Sequence, residues 1–256
     1  MILRRVISHF RKQEWTAIGI DFVIVVVGVF IGLQVQDWSE ARDDRRREAQ
    51  IVADLLADID IDRSQYAAGL RANLRRVSAA NASLVGAGLA PVMFDQESPQ
   101  DNVVDYQFDV AQLPEFPAAR MDRAWTEVIL GFHPTPSTST FDALVGAGDI
   151  KIIRDRNIVR RIQAYRNLTQ SVIEQNNKAL SIRESVMIAG ARYGLAPFAA
   201  MPPEDYFRQT ASEPEIAASI RIMATFALFH YGEIRAADAQ AAELQDSLRV
   251  YLETLE

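Results

Sequence analysis

The chain contains no cysteine and only three histidines in 256 residues. Without cysteine there is no disulfide, no thiolate metal site and no cysteine nucleophile, while either redox compartment stays open. The histidines, His9, His133 and His230, form no H-x-x-x-H or H-E-x-x-H pair. His230 and Glu233 are three apart and could supply two metal ligands, but a site needs a third and usually a fourth, so they read as a surface pair on a helix. His133 lies in a proline-rich turn and reads as exposed. Asp58, Asp60 and Asp62 stand two apart, yet on a helix they point to different faces, and the glycine and closing Glu of a calcium loop are missing. No G-x-S-x-G, Walker or dinucleotide fingerprint occurs, and the repeated LVGAG at 84–88 and 144–148 reads both times as a helix ending. A basic excess is lacking too: the net charge is −7, a poor match for nucleic acid or anionic lipid. These absences leave no metal, cofactor or catalytic constellation to name, and the expectation is a protein that is not an enzyme.

What is present is a long apolar run. Phe22 to Leu33, FVIVVVGVFIGL, lies inside Thr16 to Val35, where Asp21 is the one ionisable residue. Twenty or so residues at ~1.5 Å each reach about 30 Å, the hydrocarbon thickness of a bilayer. A cleaved signal peptide would end in small residues, whereas Gln34, Val35, Gln36, Asp37 and Trp38 follow. A soluble core helix is rarely apolar on all faces for three turns. Trp15 and Trp38 bracket the run with ~35 Å of helix between them, which suits two interfacial anchors. The expected domains are a short basic amphipathic cytoplasmic segment (about 1–15), a transmembrane anchor (about 16–38) and an extracytoplasmic α-helical domain (about 39–256).

Orientation rests on small differences. Arg4, Arg5, Arg11 and Lys12 precede the span; Arg42, Arg45, Arg46 and Arg47 follow it, interrupted by carboxylates. The amino terminus adds one positive charge to the short side, which favours a cytoplasmic N-terminus and, in a diderm bacterium, a periplasmic C-terminal domain. Inside the span, Ala17, Asp21, Gly28 and Gly32 fall on one stripe, with G-x-x-x-G spacing that would let a second helix approach. Asp21 reads either as a carboxylate reaching for the headgroups or as a contact to a homodimer mate or membrane partner.

Beyond the span the pattern is helical. Ile51, Leu55, Ile59, Tyr66, Leu70, Leu74 and Val77 mark an amphipathic helix over about 39–86, stopped by Gly86, Gly88 and Pro91. A connector over about 90–117 follows, in which Val104, Tyr106, Phe108 and Val110 alternate with polar residues, as in an extended segment lying on the helices. Further helices are expected at about 118–130, 139–147 (capped by Ser139 with Asp142), 155–194 (capped by Asp155) and 213–255 (a Ser212/Glu215 capping box). Ile216 to Phe229 is apolar but interrupted by Arg221, and reads as a core helix instead of a second span. From Ile234 the apolar residues Ala237, Ala241, Leu244, Leu248, Tyr251 and Leu255 alternate three and four apart, a coiled-coil seam expected to pack antiparallel on the first helix. The fold class is therefore mainly α: a single transmembrane helix followed by an elongated helical bundle with coiled-coil-like antiparallel packing.

The block TAIGIDFVIVVVGVFIGLQVQDWSEARDDRR, followed by REAQIVADLLADI, resembles a bacterial family of single-pass membrane proteins known as domain of unknown function 6090. Gly28, Gly32, Leu33, Gln34, Val35, Asp37, Trp38 and Glu40 carry the likeness, and FDALVGAGDIKIIRDRNIVRRIQAYRN is similar to the family's downstream element. The resemblance implies topology and lineage, and no activity. Together these readings predict a single-pass protein of the bacterial inner membrane, in contact with the lipid bilayer and with no nucleic acid. Its helical domain would serve homo-oligomerisation or a membrane protein partner. A ligand-sensing domain that signals through a partner is the alternative, and a membrane-bound hydrolase would require polar residues of distant helices to converge.

Overall fold

The computed structural model describes residues 15–92, 113–146 and 148–255; the side chains of 15–19, 21 and 149 lie outside the description. The expected amphipathic lead-in before Trp15 and the alternating segment Val104 to Val110 fall outside the described residues. Among the described residues there are six α-helices, two short 3-10 helices and no strand. We number the α-helices α1 (Trp15–Gly86), α2 (Ala124–Ile129), α3 (Ser139–Gly146), α4 (Arg156–Ala191), α5 (Pro203–Ser212) and α6 (Pro214–Glu253).

Helix α1 is continuous through the apolar run and the amphipathic stretch expected to follow it. The chain divides at Gln50 into two compact units. In the first, α1 is exposed along its apolar run, from Phe22 at 69% to Leu33 at 53%. It is the one helix among the described residues long and apolar enough to cross a membrane. In the second unit, Ile51–Thr254, the remainder of α1 packs on the other helices.

The second unit is organised by α1, α4 and α6. Gln245 of α6 bonds Asp60 and Arg63, Arg63 reaches Asp238 at 3.2 Å, and Asn73 meets His230 at 3.3 Å. Ascending positions on α1 thus pair with descending positions on α6, so the two run antiparallel. The seam residues Ile234, Ala237, Ala241, Leu244 and Leu248 are all buried, and α6 also packs along α4. Ile216, Ile220, Met223 and Ala224 join Ala79, Ala80, Leu84, Trp125, Val128 and Ile129 in the main core, so the apolar start of α6 is core. Alanine at 79, 80 and 224 keeps the backbones near one another, and burial of such a cluster supplies the apolar driving force.

Helix ends follow local chemistry. Asp155 caps α4 by accepting from the Asn157 N–H at 2.7 Å. Both LVGAG segments end helices, α1 at Gly86 and α3 at Gly146, and Gly88 and Gly148 each take φ near 73°, where a side chain would be strained.

Three expectations are corrected. The stretch 118–130 splits into a 3-10 turn, Ala118–Arg123, and the short α2. The helix expected from 213 is preceded by a separate helix, α5, which the sequence reading missed; Pro203 at its first position with Glu204 and Asp205 in its first turn is the signal. Because Ser212 is still inside α5, it cannot cap α6: its hydroxyl donates back to the Gln209 carbonyl at 3.3 Å, and the Glu215 carboxylate turns to Arg192 and Tyr193. Ser139 is likewise the first helical residue of α3, not its cap; Asp58 of α1 accepts from the Thr140 N–H instead.

Candidate functional site

The predicted span residues sit on α1. Trp15, Ala17 and Asp21 belong to its helical backbone, and their side chains lie outside the described residues. Gly28 and Gly32 have open space where a Cβ would stand. Trp38 is 65% exposed, with the Arg42 guanidinium 5.6 Å from its ring centre.

A second constellation lies in the helical unit, around the segment 130–140, which joins α2 to α3 and includes the first residues of α3. Four side chains stitch this segment down. Gln65 accepts from the Thr135 N–H at 2.8 Å, Asp62 accepts from the Ser137 N–H at 2.6 Å, Asp58 holds Thr140, and Asn176 of α4 donates to the Pro134 carbonyl at 2.6 Å. Gly69 makes the approach possible, since a Cβ there would stand 2.6 Å from Pro134 Cγ and 3.0 Å from Ile234 Cδ1. Of the aspartates that the sequence placed on different faces, Asp58 and Asp62 thus anchor this segment to α1 while Asp60 takes Gln245 of α6, and among the described residues no three His, Cys, Asp or Glu side chains gather as metal ligands.

Asp62 is buried and also accepts from the Tyr165 hydroxyl at 2.6 Å, while Tyr165 lies 3.3 Å from the Tyr66 hydroxyl. Burial raises the Asp62 carboxyl above its ordinary range, opposed by the bonds from Tyr165 and Ser137. Burial likewise raises both tyrosines, so they act as neutral hydrogen-bonding groups at pH 7. The adjoining cavity is about 20 Å³, and another beside Trp125 and Tyr206 is about 30 Å³, each the size for a water molecule.

The stitched segment delivers His133 to the interior, where its ring stacks on His230 of α6 with centroids 5.6 Å apart and planes at 27°. This overturns both readings of these residues as surface groups: His230 is 2% exposed, His133 is half-buried, and Glu233 instead accepts from Ser171. The Asn73 amide donates to the Gly69 carbonyl at 3.0 Å and faces His230 Nδ1 at 3.3 Å. An amide nitrogen only donates, so Nδ1 is the acceptor and the neutral ring carries its proton on Nε2. His230 Nε2 and both ring nitrogens of His133 make no close hydrogen bond among the described residues; the Asn176 side chain, whose Oδ1 is likewise unpartnered, is near enough to His133 to raise its pKa in part.

One turn beyond Asn73, Arg76 enters the same junction at 3% exposure, its Nε also without a partner. Its guanidinium lies so close to Gly131 that a Cβ there would overlap it. Burial, with the charge of Arg183 on α4, lowers Arg76 to about 10, so it remains a cation at pH 7. Burial, then the charges of Arg76 and Arg183, lower His133 to about 4. His230 falls to about 3 through burial, His133 and Arg76. No local pattern announces this junction, because its residues come from α1, the loop, α4 and α6.

Comparisons with family models, with curated proteins and with solved structures gave no match to this chain.

Proposed function

We propose that the chain is a single-pass protein of a bacterial inner membrane that works by contact and not by catalysis, with its N-terminus in the cytoplasm and its helical domain in the periplasm. The observation that carries this reading is the apolar run of α1, exposed over several turns, with Phe22 at 69% and Phe30 at 64%, in a helix that continues into a packed unit. Lipid and a neighbouring helix are the solvents suited to such a surface. The stripe Ala17, Asp21, Gly28 and Gly32 is the face on which a second copy or a membrane partner would pack, with Trp15 and Trp38 at the two interfaces. The resemblance to domain of unknown function 6090 supports the same topology.

Replacing Gly28 and Gly32 together with leucine leaves the span hydrophobic and fills its small-residue face. Self-association in a membrane two-hybrid assay should fall to background; an unchanged signal removes the packing face. A C-terminal alkaline phosphatase fusion should be active, and an inactive one reverses the orientation.

Ligand sensing through a partner is the second reading. It is favoured by one observation, the buried nitrogen groups of Arg76, His133 and His230 that lack partners among the described residues.

A further inference from the structure

Arg76 is a permanent cation in the interior, and the charged group acting on it among the described residues is another cation, Arg183. Taking a guanidinium out of water is penalised by several kcal/mol unless an opposite charge or a full set of acceptors replaces the solvent. The neighbouring side chains supply no opposite charge: the imidazoles are neutral, and of the neutral acceptors the buried Asn176 Oδ1 makes no hydrogen bond to the guanidinium or to any other described group. Carboxylates are abundant in this chain, whose net charge is −7. Among the described residues of the same unit, Asp62, Asp58 and Asp238 are spent elsewhere, on Ser137 and Tyr165, on Thr140 and on Arg63.

We infer that Arg76, His133 and His230, with Arg183 nearby, form a binding site for a small oxyanion such as phosphate or a short carboxylate. The guanidinium supplies the charge and an unpartnered Nε–H, and His230 supplies an Nε2–H. Burial of the cluster excludes a membrane surface as the ligand. The charged and titratable groups facing the imidazoles are Arg76 from α1, Arg183 from α4 and each other from the loop and α6. Burial first, and cationic repulsion second, keep the imidazoles neutral; an anion set among them opposes both, so binding takes up protons and tightens as pH falls. The inference rests on the sensing reading and names its ligand class.

The test uses the full chain in detergent micelles, with inorganic phosphate, succinate and chloride compared at equal ionic strength. Phosphate or succinate should raise Tm by about 5–10 °C at a hundredfold excess over Kd. The titration midpoints of the His133 and His230 ring protons in NMR should move upward with the anion. Arg76→Met keeps the volume, removes the buried charge and should fold at least as well, yet weaken the anion response tenfold or more. His133→Gln is a second variant, expected to weaken the response while abolishing part of the proton uptake. Equal Tm in phosphate, succinate and chloride with unmoved histidine midpoints overturns the site, and so does a response that survives unchanged in Arg76→Met. Span crosslinking with and without phosphate separates the inference from sensing. Binding with a changed crosslinking yield supports both, whereas binding with unchanged crosslinking supports the site and removes signalling through the span.

Discussion

Helix α1 carries two surfaces with opposite needs. Between Phe22 and Leu33 the side chains are apolar all round and exposed, with Ile24 at 61%. Between Ile51 and Gly86 apolar residues recur at helical spacing, and Val52, Ile59, Tyr66 and Val77 are buried to 2% or less. The backbone is the same hydrogen-bonded helix throughout. What differs is where the apolar area goes: one stretch is apolar around its circumference and long enough to cross a membrane, while the other directs one stripe at α6 and the core and leaves the rest to water. Secondary structure therefore says little about environment, and the angular distribution of apolar side chains says most.

The largest effect that sharpens this contrast comes from matched truncations. Ile59→Ala should destabilise the helical unit by about 2–5 kcal/mol in denaturant unfolding, because it opens a cavity in a packed interface. Ile24→Ala should change the same transition by less than about 0.5 kcal/mol. Equal effects would break the distinction between the two stretches.

Acid should act on the packed unit alone. His133 and His230 have folded pKa values near 4 and 3, below the ordinary 6.5, so the unfolded chain binds more protons as pH falls. Their contribution to stability is full above about pH 6.5 and is lost progressively as pH falls toward 3, amounting to about 4 kcal/mol for the pair near pH 5. Asp62 has the opposite sign, since its raised pKa makes the folded state the better proton binder just above the ordinary carboxylate range. Replacing both histidines with glutamine should flatten the dependence of Tm on pH between 7 and 5; an unaltered slope would assign it to other groups.

Asp62→Ala should follow at about 1–3 kcal/mol, because it leaves the Ser137 N–H and the Tyr165 hydroxyl short of an acceptor. Its signature is faster hydrogen exchange in the segment 130–140, with the apolar run of α1 unaffected. The smallest effect is expected at Arg63→Ala, which removes a half-exposed ion pair to Asp238 at 3.2 Å and a bond to Gln245. About 0.2–1 kcal/mol is expected, read as a small shift in Tm that added salt diminishes.

The long elements could be read in advance because each declares itself within a few turns. The Asp155 cap, the glycines after Leu84 and Leu144, and the three-four spacing from Ile234 are local signals with local causes. The junction between α5 and α6 was misread for the same reason: Ser212 and Glu215 have the spacing of a capping box, yet two prolines and a preceding helix moved the boundary by one residue. The aspartates at 58 and 62 form a sequence pattern without a visible partner, since their acceptor role is defined by residues 137 and 140, far along the chain.

The sequence by itself determined an apolar helix of bilayer length, its continuation as an amphipathic helix, and the buried seam of α6, because periodicity and hydropathy act over neighbouring turns. Only the tertiary structure decided that His133 and His230 stack inside the protein beside Arg76. That outcome depends on antiparallel pairing of α1 with α6 and on a loop held by Gln65, Asp62, Asp58 and Asn176. Contacts of this kind are set by packing among four separate elements, and the physics that assembles them leaves no mark in the sequence beside any one of the residues.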